Sequence, residues 1–209
     1  MLEFKDLKKK FGDKTVIDTG DFKLDFGIYW LQGPNGSGKT TLLKMVAGLL
    51  PFEGNILIDG ICQKSSPKAY RQQVSWADAE PLYPGFISGK DLINLYREVR
   101  KVSQARIDPL IDLFQVRQFL STNLGSYSSG MIKKLSLLLA FIGEPRLILL
   151  DEPLITLDAD SIPRIYELIM DYHLNKNTGF LISSHQELKD KVFQVDKKLL
   201  IAEQTIQLK

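Results

Sequence analysis

Gly33-Pro34-Asn35-Gly36-Ser37-Gly38-Lys39-Thr40 is the stretch that decides the fold. It meets the pattern of two glycines four residues apart, followed by lysine and a hydroxyl residue. Upstream, Ile28-Tyr29-Trp30-Leu31 is a short apolar run ending in Gln32. Downstream, Thr41-Leu42-Leu43-Lys44-Met45-Val46-Ala47-Gly48-Leu49-Leu50 repeats its apolar residues every three or four positions. Strand, glycine loop and helix in this order form a cradle in which successive backbone N–H groups point inward at phosphate oxygens. The positive end of the following helix adds to their attraction. In such a loop Lys39 reaches the β- and γ-phosphates and the Thr40 hydroxyl ligates Mg²⁺. The candidate nucleotide-binding residues here are Gly33, Pro34, Asn35, Gly36, Ser37, Gly38, Lys39, Thr40 and Thr41.

The rest of the composition sets bounds on this reading. A chain of 209 residues fits one α/β domain, with room for an inserted subdomain. The 27 basic residues nearly balance the 25 acidic ones, which argues against a nucleic-acid surface. Lys8-Lys9-Lys10 reads as a solvated strand end or turn. The single cysteine, Cys62, excludes an internal disulfide and reads as a small, partly buried hydrophobe in a reducing compartment. The N-terminus lacks an apolar stretch of signal-peptide length, and the longest apolar run, Leu135 to Ile142, is far shorter than the ~18 residues of a membrane span. A cytosolic protein without direct membrane insertion is therefore expected.

Residues 1 to 30 show partial alternation broken at Gly12-Asp13 and Gly20-Asp21, which predicts antiparallel hairpins. Short strands are predicted at 54–60 and 74–77. From Gly89 to Lys101, Ser103 to Phe114 and Ser129 to Phe141 the spacing becomes helical, with Gly85, Pro109 and Gly125 as punctuation. Strand character returns at Arg146 to Leu150 and Gly179 to Ser183 as continuous apolar runs, the pattern of central parallel strands covered on both faces. Pro163 to Leu174 between them suits a crossover helix, and Lys198 to Leu208 carries two β-like runs. The expected fold is α/β: a P-loop NTPase core of mostly parallel sheet flanked by helices, with an N-terminal antiparallel β subdomain. Residues 1–209 are read as a single domain, with a helical subdomain inserted at about 82–134.

The second motif is Leu147-Ile148-Leu149-Leu150-Asp151-Glu152-Pro153, which sets two adjacent carboxylates at the C-terminal end of a buried strand. Ligands of open parallel sheets bind outside those strand ends. Asp151 is placed to hold the Mg²⁺ shell, and Glu152 to accept a proton from water attacking the γ-phosphate.

With both motifs in this order, nearly the whole chain resembles the nucleotide-binding subunit of an ABC (ATP-binding cassette) transporter. The resemblance implies ATP and Mg²⁺ as ligands and ATP hydrolysis as the activity. It gives His185, after Leu181-Ile182-Ser183-Ser184, the role of the switch histidine that contacts the γ-phosphate, and makes Glu152, His185 and Lys39 the catalytic set. Leu157-Asp158 matches the loop that communicates across a dimer, and Phe11 stands where an aromatic ring stacks on adenine. His173 matches no motif and reads as a capped or surface histidine. The implied assembly is a head-to-tail homodimer or heterodimer with another ATP-binding subunit. It would be docked on a transmembrane permease subunit, and so peripheral on the inner face of the membrane.

Two stations depart from the family pattern. Its signature is Leu-Ser-Gly-Gly-Gln, whereas this chain has Tyr127-Ser128-Ser129-Gly130-Met131. Ser128, implied to bond the γ-phosphate of the opposite subunit's ATP, is kept together with Gly130. Ser129 places a Cβ where glycine is usual, which matters if the backbone there takes φ above zero. The basic residues of Ile132-Lys133-Lys134-Leu135 stand at the helix end suited to an anion. In the loop where a glutamine normally links Mg²⁺ and attacking water to the membrane partner, the chain has Ala77-Asp78-Ala79-Glu80, with a carboxylate at Asp78 or Glu80 as the substitute ligand.

The reading that results is an ATP-hydrolysing subunit that energises a transporter by closing a dimer on ATP. Export is favoured, because the chain ends soon after His185 without the extra C-terminal domain of many importers. A soluble ABC ATPase and a slowly hydrolysing regulatory module are the alternatives.

Overall fold

The computed structural model describes residues 1–185, 187, 188, 193 and 195–209. The N-terminal alternation becomes two antiparallel pairings of one long strand. β1 (Leu2–Phe11) folds back on β2 (Lys14–Thr19) through Gly12-Asp13, and its other end pairs with β3 (Phe22–Leu24). The lysine run lies within β1. Lys9 is buried and donates to the Pro51 carbonyl at 2.7 Å, so the run is neither turn nor wholly solvated.

β4 (Ile28–Gln32) leaves this layer and enters the second sheet, and the glycine loop then leads into α1 (Lys39–Val46). The antiparallel layer is completed by β5 (Glu53–Ile58), paired with β1, and β6 (Ile61–Cys62). After α2 (Pro67–Gln73) and β7 (Val74–Ala77) the chain turns helical: α3 (Gly89–Arg100), α4 (Gln104–Leu113) and α5 (Ser129–Phe141). α3 opens on a reciprocal cap, in which Ser88 accepts from the Asp91 amide and Asp91 accepts from the Ser88 amide. α4 keeps to the helical spacing read from Ser103 to Phe114, and Pro109 does not interrupt it. It lies inside the helix, and the carbonyl deprived of its partner belongs to Ala105, an exposed residue that water can reach. α5 runs on past residue 134 to pack on β7 and β8. No helix among the described residues is long and apolar enough to cross a membrane.

β8 (Leu147–Asp151), α6 (Ser161–Lys176), β9 (Gly179–Ser183), β10 (Lys197–Ala202) and β11 (Thr205–Leu208) finish the chain. The six-stranded sheet has the order β11-β10-β4-β9-β8-β7, parallel except for the β10–β11 hairpin. The fold is thus α/β, a P-loop NTPase core with an N-terminal antiparallel β layer and helices inserted between β7 and β8.

Side chains on the central strands divide between two cores. Tyr29, Leu31, Leu147, Leu149 and Leu181 point to α1 and the antiparallel layer, where Leu42, Leu43, Met45 and Val46 meet them. Ile28, Trp30, Ile148, Leu150, Phe180 and Ile182 point to the opposite face, against α5 and α6. This alternation is the period of two along a strand, with both faces apolar because both are covered. One more step along β8 and β9 puts Asp151 and Ser183 on the α1 side, beside the glycine loop.

Candidate nucleotide site

The glycine loop is held in a shape that side chains would obstruct. Gly33 has φ 155°, and a Cβ on it would stand 2.5 Å from Ser37 Oγ and 2.8 Å from the Ile201 carbonyl. Gly38 caps α1 with φ 107°, a left-handed conformation strained for any L side chain. α1 has no acid in its first turn, so its positive end is free to attract an anion. Lys39 folds back over the loop, its Nζ donating to the Gly33 carbonyl at 2.7 Å and the Pro34 carbonyl at 3.2 Å.

Strand β8 supplies the acids. Thr40 Oγ1 donates to Asp151 Oδ2 at 2.8 Å, and Ser183 Oγ donates to Asp151 Oδ1, so the carboxylate is oriented from both sides. Glu152 follows in a left-handed conformation, φ 45°, with its amide donating to the Ser183 carbonyl at 3.1 Å. That turn takes Glu152 off the regular alternation. Its Oε2 accepts from the His185 amide at 3.2 Å, while the His185 Nε2 stands 3.5 Å from Oε1. The His185 ring is half exposed. The segment carrying it is fixed by Trp30, whose indole N–H donates to the Ser184 carbonyl at 3.1 Å.

Val16, Asn35, Gly36, Gly38, Lys39, Thr40, Thr41, Asp151, Glu152 and His185 line one cavity of about 340 Å³. Two polar atoms in this neighbourhood, Ser37 Oγ and Glu152 Oε1, are buried without a hydrogen-bond partner. Orphaned polar atoms are costly in a finished interior and suit a site that a polar ligand completes. The glycine cradle, the Lys39 ammonium and the helix end fit a polyphosphate. The oxygen pair of Thr40 and Asp151 fits a hard cation such as Mg²⁺.

The remaining sequence-derived residues lie elsewhere. Phe11 is at the end of β1, 50% exposed, with Lys9 Nζ 4.6 Å from its ring centroid, and Val16 rather than Phe11 lines the cavity. Ser128, Ser129 and Gly130 also lie outside the cavity lining. Ser128 caps α5, its hydroxyl accepting from the Met131 amide at 3.2 Å. Ser129 opens α5 with helical backbone, so its Cβ meets no left-handed strain. Asp158 accepts from the Ser161 amide and pairs with Lys134 at 2.7 Å; its bonds from Lys134 and Ser161 hold its pKa below the usual carboxylate range. His173 is mostly buried rather than on the surface: its ring stacks on Phe26 and its Nδ1 lies 3.0 Å from the Thr178 carbonyl.

Two expectations at the departures change. Asp78 is paired with Lys44 of α1 at 3.2 Å and does not line the cavity, so its charge already has a partner. The lysines after the signature do not present themselves to an outside anion. Lys134 is paired with Asp158, and Lys133, 1% exposed, turns inward. Its Nζ donates to the carbonyls of Asp78 at 2.9 Å, Ala79 at 3.3 Å and Asp151 at 3.0 Å. Burial pushes its pKa down to about 8, against the opposing pull of Asp151, Asp78 and Glu152. From the sequence Lys133 reads as a residue facing an outside anion, not as a buried one. The usable signal was its place four residues before Leu137 and seven before Ala140, both buried on the same face of α5.

The fold and cavity together define a nucleotide-binding cassette. The family model described as ABC transporter matches residues 22–155, and the chain belongs to that family as an ATP-binding subunit. It is 30% identical over 187 residues to the lantibiotic transport ATP-binding protein SrtF of Streptococcus pyogenes, an alignment taking in 88% of this chain and 80% of the relative. It is likewise 30% identical to the Nod factor export ATP-binding protein I of Burkholderia lata, over 97% of this chain and 70% of the relative. An uncharacterized ABC transporter ATP-binding protein of Bacillus subtilis, YhcH, is also 30% identical over 88% of the chain, which spans only 62% of that relative's length. Among solved structures, an ATP-binding subunit of an ABC transporter superposes with a TM-score of 0.89 at 26% identity, covering 99% of this chain and 88% of the other. A dimeric cassette in a post-hydrolysis state, bound to ADP and Pi, has the same fold, with a TM-score of 0.82 at 16% identity over 100% of this chain and 98% of the other.

Proposed function

We propose that this chain hydrolyses ATP to energise a membrane exporter, as one of two ATP-binding subunits docked on a transmembrane partner. The observation that carries the reading is the buried Glu152 Oε1, without a hydrogen-bond partner, in the cavity that also holds Lys39, Thr40 and Asp151. A carboxylate oxygen without a hydrogen-bond partner at the phosphate site, with the His185 ring 3.5 Å away, is placed to take a proton. Exchange of its two carbonyl partners for β- and γ-phosphate oxygens brings the Lys39 ammonium onto the charge that develops as the γ-phosphoryl group leaves. Water then attacks the γ-phosphorus as Glu152 takes its proton. The bond from that phosphorus to the bridging oxygen breaks, and the electron pair leaves with ADP. Thr40 and Asp151 would hold Mg²⁺, which when bound would supply neutralisation of the phosphate charge. His185, tied to Glu152 through its amide, contacts the γ-phosphate and registers its loss.

The cavity lining includes none of Ser128, Ser129 or Gly130. This supports a site completed by the same segment of a second subunit, whether a copy of this chain or a related one. Relatives named for lantibiotic transport, Nod factor export and linearmycin resistance support export. The membrane association is then peripheral, through the permease. Affinity capture of the tagged chain from detergent-solubilised membranes tests this. A polytopic membrane protein as the stoichiometric companion is expected, whereas a soluble companion alone would contradict the transport role.

A further inference from the structure

Lys133 is a buried charge that the proposed chemistry does not use. An ammonium has three N–H donors, and Lys133 Nζ meets three acceptors: the carbonyls of Asp78, Ala79 and Asp151. A lysine taken out of water costs free energy unless every donor is occupied, and here the occupied acceptors belong to two separate segments. One is the loop after β7, in the place where the family's glutamine is missing. The other is the peptide between Asp151 and Glu152, which carries the Mg²⁺-side acid and the proposed base. The lysine itself belongs to α5, whose first residues form the signature segment. Ser128 and Lys133 are five residues apart, about 7.5 Å along the helix.

We propose that Lys133 is a positioning residue that ties the signature helix to both the Asp78–Ala79 loop and the Asp151–Glu152 peptide, holding the base carboxylate in register with the loop. The inference rests on the hydrolytic reading above for its catalytic consequence, and on the three hydrogen bonds for its structural one. By this geometry a rigid shift of α5, as a partner subunit closes on Ser128, moves the carbonyl beside Glu152 and the loop together. The chain thereby has a side-chain link to the loop where the family pattern implies a glutamine. The lysine bonds backbone, so it constrains position without contacting nucleotide, and its loss falls on turnover rather than on binding.

The test compares Lys133→Met, which keeps the stem and removes the donors, with Lys133→Arg, which restores them. Steady-state ATPase and affinity for a fluorescent ATP analogue are read on the chain purified in complex with its companion subunits. For K133M, kcat is expected to fall roughly 10- to 100-fold, the scale of a misplaced catalytic group, with analogue affinity within about three-fold of wild type. K133R is expected to recover most of the loss. Amide hydrogen exchange of residues 78–80 and of Asp151 and Glu152 is expected to speed up by at least about ten-fold in K133M, with α1 amides unchanged. Wild-type turnover in K133M, or parallel loss of affinity and turnover, would overturn the positioning role. If the wild-type complex with its companion subunits does not hydrolyse ATP, the hydrolytic reading fails. The exchange measurement then decides the link alone, and unchanged exchange at both segments overturns it.

Discussion

Thr40 at the start of α1 and Asp151 at the end of β8 are joined by a 2.8 Å hydrogen bond from hydroxyl to carboxylate. The bond connects the phosphate loop to the acid strand, and it exists because alternation along β8 turns Asp151 toward α1. Replacement of Thr40 by valine keeps the shape and removes the oxygen. Mg²⁺-dependent ATP binding, measured by titration calorimetry, is expected to weaken on the order of ten-fold, about 1.4 kcal/mol. Binding of ATP in the presence of EDTA is expected to change little.

Gly33→Ala puts a methyl group 2.5 Å from Ser37 Oγ and 2.8 Å from a backbone carbonyl. One of those contacts is with β10 and cannot be relieved by a side-chain rotation. Urea unfolding is expected to show a loss of roughly 2–3 kcal/mol. A midpoint equal to wild type would mean that the loop has more room than its geometry gives it.

Trp30→Phe removes the indole donor to the Ser184 carbonyl and leaves that carbonyl buried without it. The expected cost is about 1–3 kcal/mol in stability. Because His185 follows Ser184, turnover is expected to fall further than nucleotide affinity does, which comparison of kcat with the ATP dissociation constant checks.

Phe11 is half exposed and lies outside the phosphate cavity, so Phe11→Ala is expected to leave stability within about 0.5 kcal/mol of wild type. If its ring stacks on adenine, ATP affinity falls by roughly three- to ten-fold while inorganic triphosphate binds unchanged. Equal affinity of F11A and wild type for ATP would assign the adenine contact elsewhere.

What could be read from the sequence and what could not divides along physical lines. The glycine loop, the strand before it and the acid pair were legible because each is a local pattern whose spacing carries its own mechanism. The continuous apolar runs of β8 and β9 announced central strands, since only strands covered on both faces can afford them. The helical spacing from Ser103 to Phe114 held in spite of Pro109, because a helix tolerates proline where the orphaned carbonyl is exposed. Lys133 was taken to face an outside anion, and the Lys44–Asp78 pair went unseen, for a related reason. A charge in sequence is read as solvated, and only the packing of α5 and α1 against the loop after β7 reveals these two as occupied. The role of Ser129 also turned on backbone, since its type suggested strain and its helical conformation removes it.

The central claim is that Glu152 takes the proton from attacking water in a site that a second subunit completes. It is tested most directly by measuring ATP turnover and size-exclusion mass of Glu152→Gln in Mg-ATP. The account expects turnover to fall by about 10²- to 10⁴-fold with ATP still bound and the chain eluting as a dimer. Hydrolysis at the wild-type rate in that variant would contradict it.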